Sequence, residues 1–222
     1  MVRVKICGIR TEEDLKVAVQ KGYNAIGAVI NVPKSPRNVT PTIANRLFRK
    51  IPPFISSVAV IVPNSVNDVM TIEKSVNPDI IQIHGFFEEE FYEELIESVS
   101  TKIIHALLLD KDGKSHVINE EPIKAANFLQ NHSDAILIDT YIPNKMGGTG
   151  TTVNWDIASQ IRKKLTVPVI LSGGLNENNV IEAIQKVNPY AIDVSSGVEK
   201  SPGIKDSKKV ENFIKLVKEA KI

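Results

Sequence analysis

The chain has 222 residues, of which 42% are hydrophobic and 24% charged, with a formal net charge of +1. That mix excludes a disordered or fibrous chain, and the balanced charge leaves no electrostatic footprint for nucleic acid or an acidic membrane surface. The lone cysteine, Cys7, excludes an intrachain disulfide, and no apolar run approaches the ~18 residues of a membrane span.

Short apolar runs alternate with amphipathic helical patterns along the whole chain. The runs cover residues 2–6, 25–30, 58–62, 79–83, 103–109, 135–138, 167–171 and 191–194. They are rich in Val and Ile and lack strict polar alternation, as expected of strands buried on both faces of a parallel sheet. The first helix is expected to open on a capping box at Thr11-Glu12-Glu13-Asp14. The second opens on Thr40-Pro41, a cap followed by proline at the first helical position. Val66, Val69 and Met70 mark a third helix, Leu95 and Ile96 a fourth, and Ala125, Ala126 and Leu129 a fifth. Asn154 or Trp155 leads into a sixth. Asn176 is expected to cap a seventh and Asp206 an eighth, whose Val210, Phe213, Ile214 and Val217 form one apolar stripe.

Eight strands and eight helices in strict alternation predict a (β/α)8 TIM barrel of the α/β class, one domain spanning residues 1–222. An open doubly wound sheet shares the same element order and is the competing topology. In a barrel, the site is built where strands run out into the loops that follow them. The chemistry is therefore sought at the strand ends.

The first strand ends in Cys7-Gly8. Cys7 is either a small packing residue or, as a thiolate, a base or nucleophile whose surroundings must favour the anion. After the second strand, Ser35-Pro36-Arg37 holds a planar guanidinium suited to a carboxylate or phosphate, or is a solvated loop. The fourth strand ends in Gln82-Ile83-His84-Gly85, and a period of two puts Gln82 and His84 on one side. Asp139 follows the apolar run of the sixth strand; beside apolar walls a carboxyl group holds its proton, which suits a general acid. Gly148 and Gly150 lie in a glycine-rich loop downstream. The seventh strand ends in Ser172-Gly173-Gly174 and the eighth in Ser195-Ser196-Gly197, two neighbouring ends where amides and hydroxyls can gather on a phosphate. The histidines are scattered, so no metal site is expected.

The ordered set Lys5-Ile6-Cys7-Gly8, Ser35-Pro36-Arg37, Gln82-Ile83-His84-Gly85, Asp139-Thr140, Gly147-Gly148-Thr149-Gly150, Leu171-Ser172-Gly173-Gly174 and Asp193-Val194-Ser195-Ser196-Gly197-Val198-Glu199 resembles the phosphoribosylanthranilate isomerases of tryptophan biosynthesis. The resemblance runs nearly end to end. It implies an Amadori rearrangement of N-(5'-phosphoribosyl)anthranilate to 1-(2-carboxyphenylamino)-1-deoxyribulose 5-phosphate, an intramolecular aldose–ketose isomerisation without cofactor. It also implies Cys7 as general base, Asp139 as general acid, Arg37 on the anthranilate carboxylate, and the glycines and serines of the last three loops on the phosphate. The expected partner is the small phosphorylated aminosugar alone, with no nucleic acid and no membrane. The chain is expected to be a cytoplasmic monomer or homodimer.

Three departures from the family pattern are Asn31 near the mouth, His105 where the family often has lysine, and a long polar loop over residues 110–121. They are expected to touch the substrate's surroundings. A related histidine-pathway isomerase would carry aspartate in place of Cys7, and a phosphate-sensing barrel would need neither Cys7 nor Asp139.

Overall fold

The protein is described by a computed structural model covering residues 1–19, 22–117, 121–142 and 152–220. Its principal strands are β1 (Arg3–Ile6), β2 (Ala25–Ile30), β3 (Ser56–Ile61), β4 (Ile80–Ile83), β5 (Lys102–Leu109), β6 (Ala135–Thr140), β7 (Val169–Leu171) and β8 (Ala191–Val194). The helices are α1 (Glu12–Val19), α2 (Pro41–Phe48), α3 (Val66–Val76), α4 (Glu89–Ser98), α5 (Pro122–Gln130), α6 (Trp155–Lys164), α7 (Val180–Val187) and α8 (Ser207–Glu219). Every neighbouring pair of these strands is parallel, and β1 pairs with both β2 and β8. The sheet therefore closes into a barrel, and the open-sheet alternative is excluded. A short strand, Asn38–Val39, extends the edge of β2, and an antiparallel pair, Glu199–Ser201 with Ile204–Lys205, follows β8.

Because successive side chains alternate across a strand, each strand sends one set inward and one toward the helices. The inward set on one side of the barrel is Ile104, Ala106, Ala135, Leu137, Ile170 and Ala191, mixed large and small. Across from it lie Val58, Val60 and Cys7. The outward set, such as Ile6, Ile81, Leu107 and Ile136, joins the apolar stripes of the helices in the main core.

Several helix starts follow the local sequence chemistry. Asp14 N–H donates to Thr11 Oγ1 (3.1 Å), and Asp14 Oδ2 accepts from Thr11 N–H (3.3 Å), so the box on α1 forms with aspartate in the reciprocal place. Thr40 caps α2 by accepting from Ile43 N–H, and Asn154 and Asp206 cap α6 and α8. The expected start of α7 needs correction. Asn179, not Asn176, stands at its cap. Asn176 instead accepts from Asn178 N–H (2.9 Å) and heads the preceding turn.

Two of the three departures do not line the cavity at the barrel mouth, although Asn31 stands beside it. His105 faces the helix layer, its ring 5.0 Å from that of Tyr92. Asn31 is an exposed residue in the left-handed region (φ 55) at the end of β2. In the polar loop, Asp110 accepts from Asp112 and Lys114 N–H and pairs with His116 (2.9 Å), so residues 110–117 form a folded turn. Residues 118–120 lie outside the described residues. Among the described residues, no helix is long and apolar enough to cross a membrane.

Candidate active site

The carboxyl ends of the strands surround a cavity of about 260 Å³. Cys7, Arg37, Gln82, His84, Asp139, Ser172, Gly173, Gly174, Ser195 and Ser196 all line it. The structure thus brings ten of the expected site residues to one opening, although they are drawn from all parts of the chain. Gly197 is not on the cavity wall; it is packed against the Leu175 carbonyl and Asn176 with no room for a Cβ. Gly148 and Gly150 lie outside the described residues.

Cys7 is fixed by its backbone. Its N–H donates to Val194 O (2.9 Å), and Ser195 Oγ donates to its carbonyl (3.1 Å). Its sulfur stands over Gly27, where a Cβ would meet Cys7 Sγ at 3.0 Å and Lys5 Nζ at 3.2 Å. Lys5 is 3% exposed and bonded to Asp193 Oδ1 at 2.9 Å. Burial pushes the Cys7 thiol up from its ordinary value; Lys5 and Lys205 pull against that, and Asp193 reinforces it. Burial also works against the Lys5 ammonium, but Asp193 and Cys7 more than offset it and hold Lys5 above its ordinary range.

Asp139 ends β6 on the far side of the same opening. Burial raises its pKa to about 6; Asp193 adds to this, while the Thr140 N–H, Lys5 and Ser172 oppose it. The Thr140 N–H donates to Oδ1 at 2.8 Å. Gly173, at φ +84, comes so close that a Cβ there would sit 3.3 Å from Asp139 Oδ1. Between Cys7 and Asp139 runs a polar row: Lys5, Asp193, and Ser172, whose Oγ lies 3.5 Å from Asp193 Oδ2.

Gln82 and His84 do share a side, as period two requires, and meet at 2.6 Å. Burial, with Lys5 second, lowers His84 to about 4, so the imidazole is neutral near pH 7 and can accept from the Gln82 amide. Gln82 Oε1 is buried and finds no partner among the described residues.

Arg37 departs from expectation in one respect. Its guanidinium is already gripped: Nε donates to Glu199 Oε1 (2.8 Å) and Nη2 to Oε2 (2.7 Å). Although burial works against it, Arg37 and Lys205 hold Glu199 below the ordinary carboxylate range. Only Nη1 lies outside that bidentate pair.

The sequence motifs included Lys5, Asp193 and Glu199 but assigned them no role in the site. The first two were open to the alternation rule that linked Gln82 with His84: Lys5 precedes Cys7 by two, and Asp193 precedes Ser195 by two. Glu199 carried no local signal. Among the described residues, no group of three His, Cys, Asp or Glu side chains could hold a metal ion.

Comparison with known proteins is consistent across the chain. The profile of the N-(5'-phosphoribosyl)anthranilate (PRA) isomerase family matches residues 4–216. The N-(5'-phosphoribosyl)anthranilate isomerase of Methanocaldococcus jannaschii is 39% identical over 225 aligned positions, covering 98% of this chain and 97% of its own. A crystal structure of such an isomerase in complex with reduced 1-(o-carboxyphenylamino)-1-deoxyribulose 5-phosphate superposes with TM-score 0.80, at 34% identity over 99% of this chain and all of its own. A monomeric form of the dimeric Thermotoga maritima isomerase gives TM-score 0.80 at 31% identity, again over 99% of this chain and 100% of its own.

Proposed function

The chain belongs to the N-(5'-phosphoribosyl)anthranilate isomerase family, and from that premise we propose that Cys7 and Asp139 carry the isomerisation as general base and general acid. The reaction converts N-(5'-phosphoribosyl)anthranilate to the 1-deoxyribulose 5-phosphate product within tryptophan biosynthesis. The observation that supports the assignment is the shared cavity. A thiol at the end of β1 and a carboxyl at the end of β6 whose pKa burial raises to about 6 open on one space, with Lys5 and Asp193 between them.

The proton transfers suit those two groups. Asp139, with a pKa of about 6, gives its proton to the ring oxygen as the C1'–O bond breaks. The anilino nitrogen lone pair forms the C1'=N bond, leaving a cationic iminium that acidifies the C2' hydrogen. The Cys7 thiolate takes that hydrogen, and the C–H electron pair flows toward nitrogen to give an enolamine. Protonation at C1' and loss of the O2' proton give the ketone. The two enzyme groups have lost and gained one proton each, so return of that proton resets both. All steps are proton transfers, and no electrons leave the substrate.

The remaining groups position it. Gly173, Gly174 and Ser196 at the ends of β7 and β8 are the proposed phosphate contacts, with Gly148 and Gly150 from the loop before α6. Ser195 and Ser172 already serve Cys7 and Asp193. Arg37 would meet the anthranilate carboxylate through Nη1, with Glu199 fixing the plane of its fork. Gln82 and neutral His84 form a polar wall with one unfilled acceptor, Gln82 Oε1. We further propose that residues 1–222 act as one catalytic domain in the cytoplasm, as a monomer or homodimer; a dimeric relative supports the latter.

The test is turnover of freshly made phosphoribosylanthranilate, followed by its fluorescence. Cys7→Ser and Asp139→Asn are each expected to lose ~10²–10⁴-fold or more in kcat, the usual worth of a positioned acid or base. Near-normal turnover in either variant removes that residue from the mechanism.

A further inference from the structure

A buried lysine inside a barrel needs a reason. Barrel interiors of this size are filled by apolar side chains, and burying an ammonium is costly unless it is paired. At the floor of the cavity this chain places Lys5 at 3% exposure and Asp193, itself a lining residue, at 5%. Apart from Asp139 on β6, the other strands fill the nearby interior with apolar or uncharged groups, including Gly27, Val58, Val60, Ala106 and Leu137. The pair is also not symmetric. Lys5 reaches Asp193 Oδ1 at 2.9 Å, and its Nζ lies beside the Cys7 sulfur, both packed against the same face of Gly27. Space for that approach comes from Gly27, where a Cβ would stand 3.2 Å from Nζ and 3.0 Å from Sγ.

We infer that Lys5 is a positioning residue for the reaction: its ammonium, anchored by Asp193 at the cavity floor, favours the anion of the Cys7 sulfur, the form that removes the substrate's C2' proton. The inference rests on the acid–base reading above and adds the group that makes the base available. Lys5 keeps its own protons throughout; only the sulfur gains and loses one. Among the described residues, few groups face that sulfur. Lys5 on β1 and Lys205 beyond β8 favour the anion, and Asp193 on β8 opposes it. His84 on β4 is neutral near pH 7, and Asp139 on β6 stands across the opening. The elements packed alongside, β2 and β3, present Gly27, Val29, Val58 and Val60, none of them titratable. Lys205 is already committed to Glu199 (2.8 Å) and the Ser195 carbonyl (3.1 Å), which leaves Lys5 as the cation at the sulfur.

Because Cys7 is the sole thiol in the chain, its ionisation can be read directly from thiolate absorbance and from iodoacetamide alkylation rate across pH. Lys5→Met is expected to raise the midpoint of both by about one pH unit or more, the usual effect of an adjacent opposite charge. The acid limb of kcat/KM should move by the same amount, and kcat near pH 7 should fall about tenfold or more with KM little changed. Should the unpaired Asp193 unfold that variant, Lys5→Met with Asp193→Asn removes both charges. A smaller shift in the same direction is then expected, since Lys5 outweighs Asp193 at the sulfur. A midpoint unmoved in the folded variants overturns the inference and leaves the pair a packing device. Retained turnover in Cys7→Ser is a separate failure: it removes Cys7 from the reaction, while the midpoint still reports the hold of Lys5 on the sulfur.

Discussion

Burial acts on Cys7 and Asp139 in the same direction and with opposite usefulness. A retained proton is what an acid needs at Asp139 and what a base must shed at Cys7, and the Lys5 cation is the foremost influence opposing burial at Cys7 but a lesser one at Asp139. The raised carboxyl also carries a stability consequence. Its native pKa of about 6 lies above the ordinary 3.8, so the folded state binds this proton more tightly than the unfolded state does. No penalty exists below pH ~4, where both states are protonated; it grows between ~4 and ~6 and stays constant above. Asp139→Asn is therefore expected to stabilise the fold by about 1–2 kcal/mol at pH 7, after allowance for partial exposure, and by nearly nothing at pH 4. Urea unfolding at the two pH values checks this, and an equal change at both would contradict it. At this scale the sequence was readable wherever alternation applied. Glu199 is the counterexample: it lies 162 positions from Arg37, and only closure of the barrel brings the two together.

Among the elements, helix starts were readable because their chemistry is local, and strand limits were not because partners set them. The third strand begins at Ser56, earlier than its apolar run, because Ser57 exchanges hydrogen bonds with Asp79 (2.7 and 2.9 Å) at the foot of β4. The sixth continues past Ile138 through Thr140 because Leu108 and Leu109 of the long β5 remain opposite to pair with it. The start of α7 was misread because Asn176 and Asn179 offer the same side chain three residues apart: Asn176 spends its oxygen on Asn178 N–H, and Asn179 stands at the cap with its oxygen on Asn176 N–H. Asp14 illustrates how a local cap acquires a distant duty. Besides closing the box on α1, its Oδ1 accepts from Lys205 N–H at 3.2 Å, tying α1 to the strand pair that holds Glu199. Asp14→Ala is expected to cost about 2–3 kcal/mol, against about 1 kcal/mol for the purely local cap lost in Thr40→Ala. Chemical denaturation of the two variants side by side tests the difference; equal losses would deny the second duty.

The molecule as a whole divides its barrel interior by height. Lower down are packed hydrophobes; above them come the Lys5–Asp193 row and then the open cavity. Closure itself could not be read from element order, which an open sheet shares; it rests on the two pairings of β1. The division separates stability from chemistry. Leu137→Ala, a fully buried truncation in the lower interior, is expected to cost about 2–5 kcal/mol. Turnover below the shifted melting point should stay within a few-fold of the parent, and a large loss of kcat in the folded variant would show the halves to be coupled. Gly27 stands at the seam between them. It lines no part of the cavity and its backbone is unstrained, yet a Cβ there would crowd Cys7 Sγ and Lys5 Cε, each at 3.0 Å, and push both from their places. Its contribution is an empty volume. In a survey of tolerated substitutions, position 27 should therefore sort with the reactive residues rather than with its packing neighbours. Enlarging the interior by mutation is closed at that point for as long as a sulfur atom serves as the base.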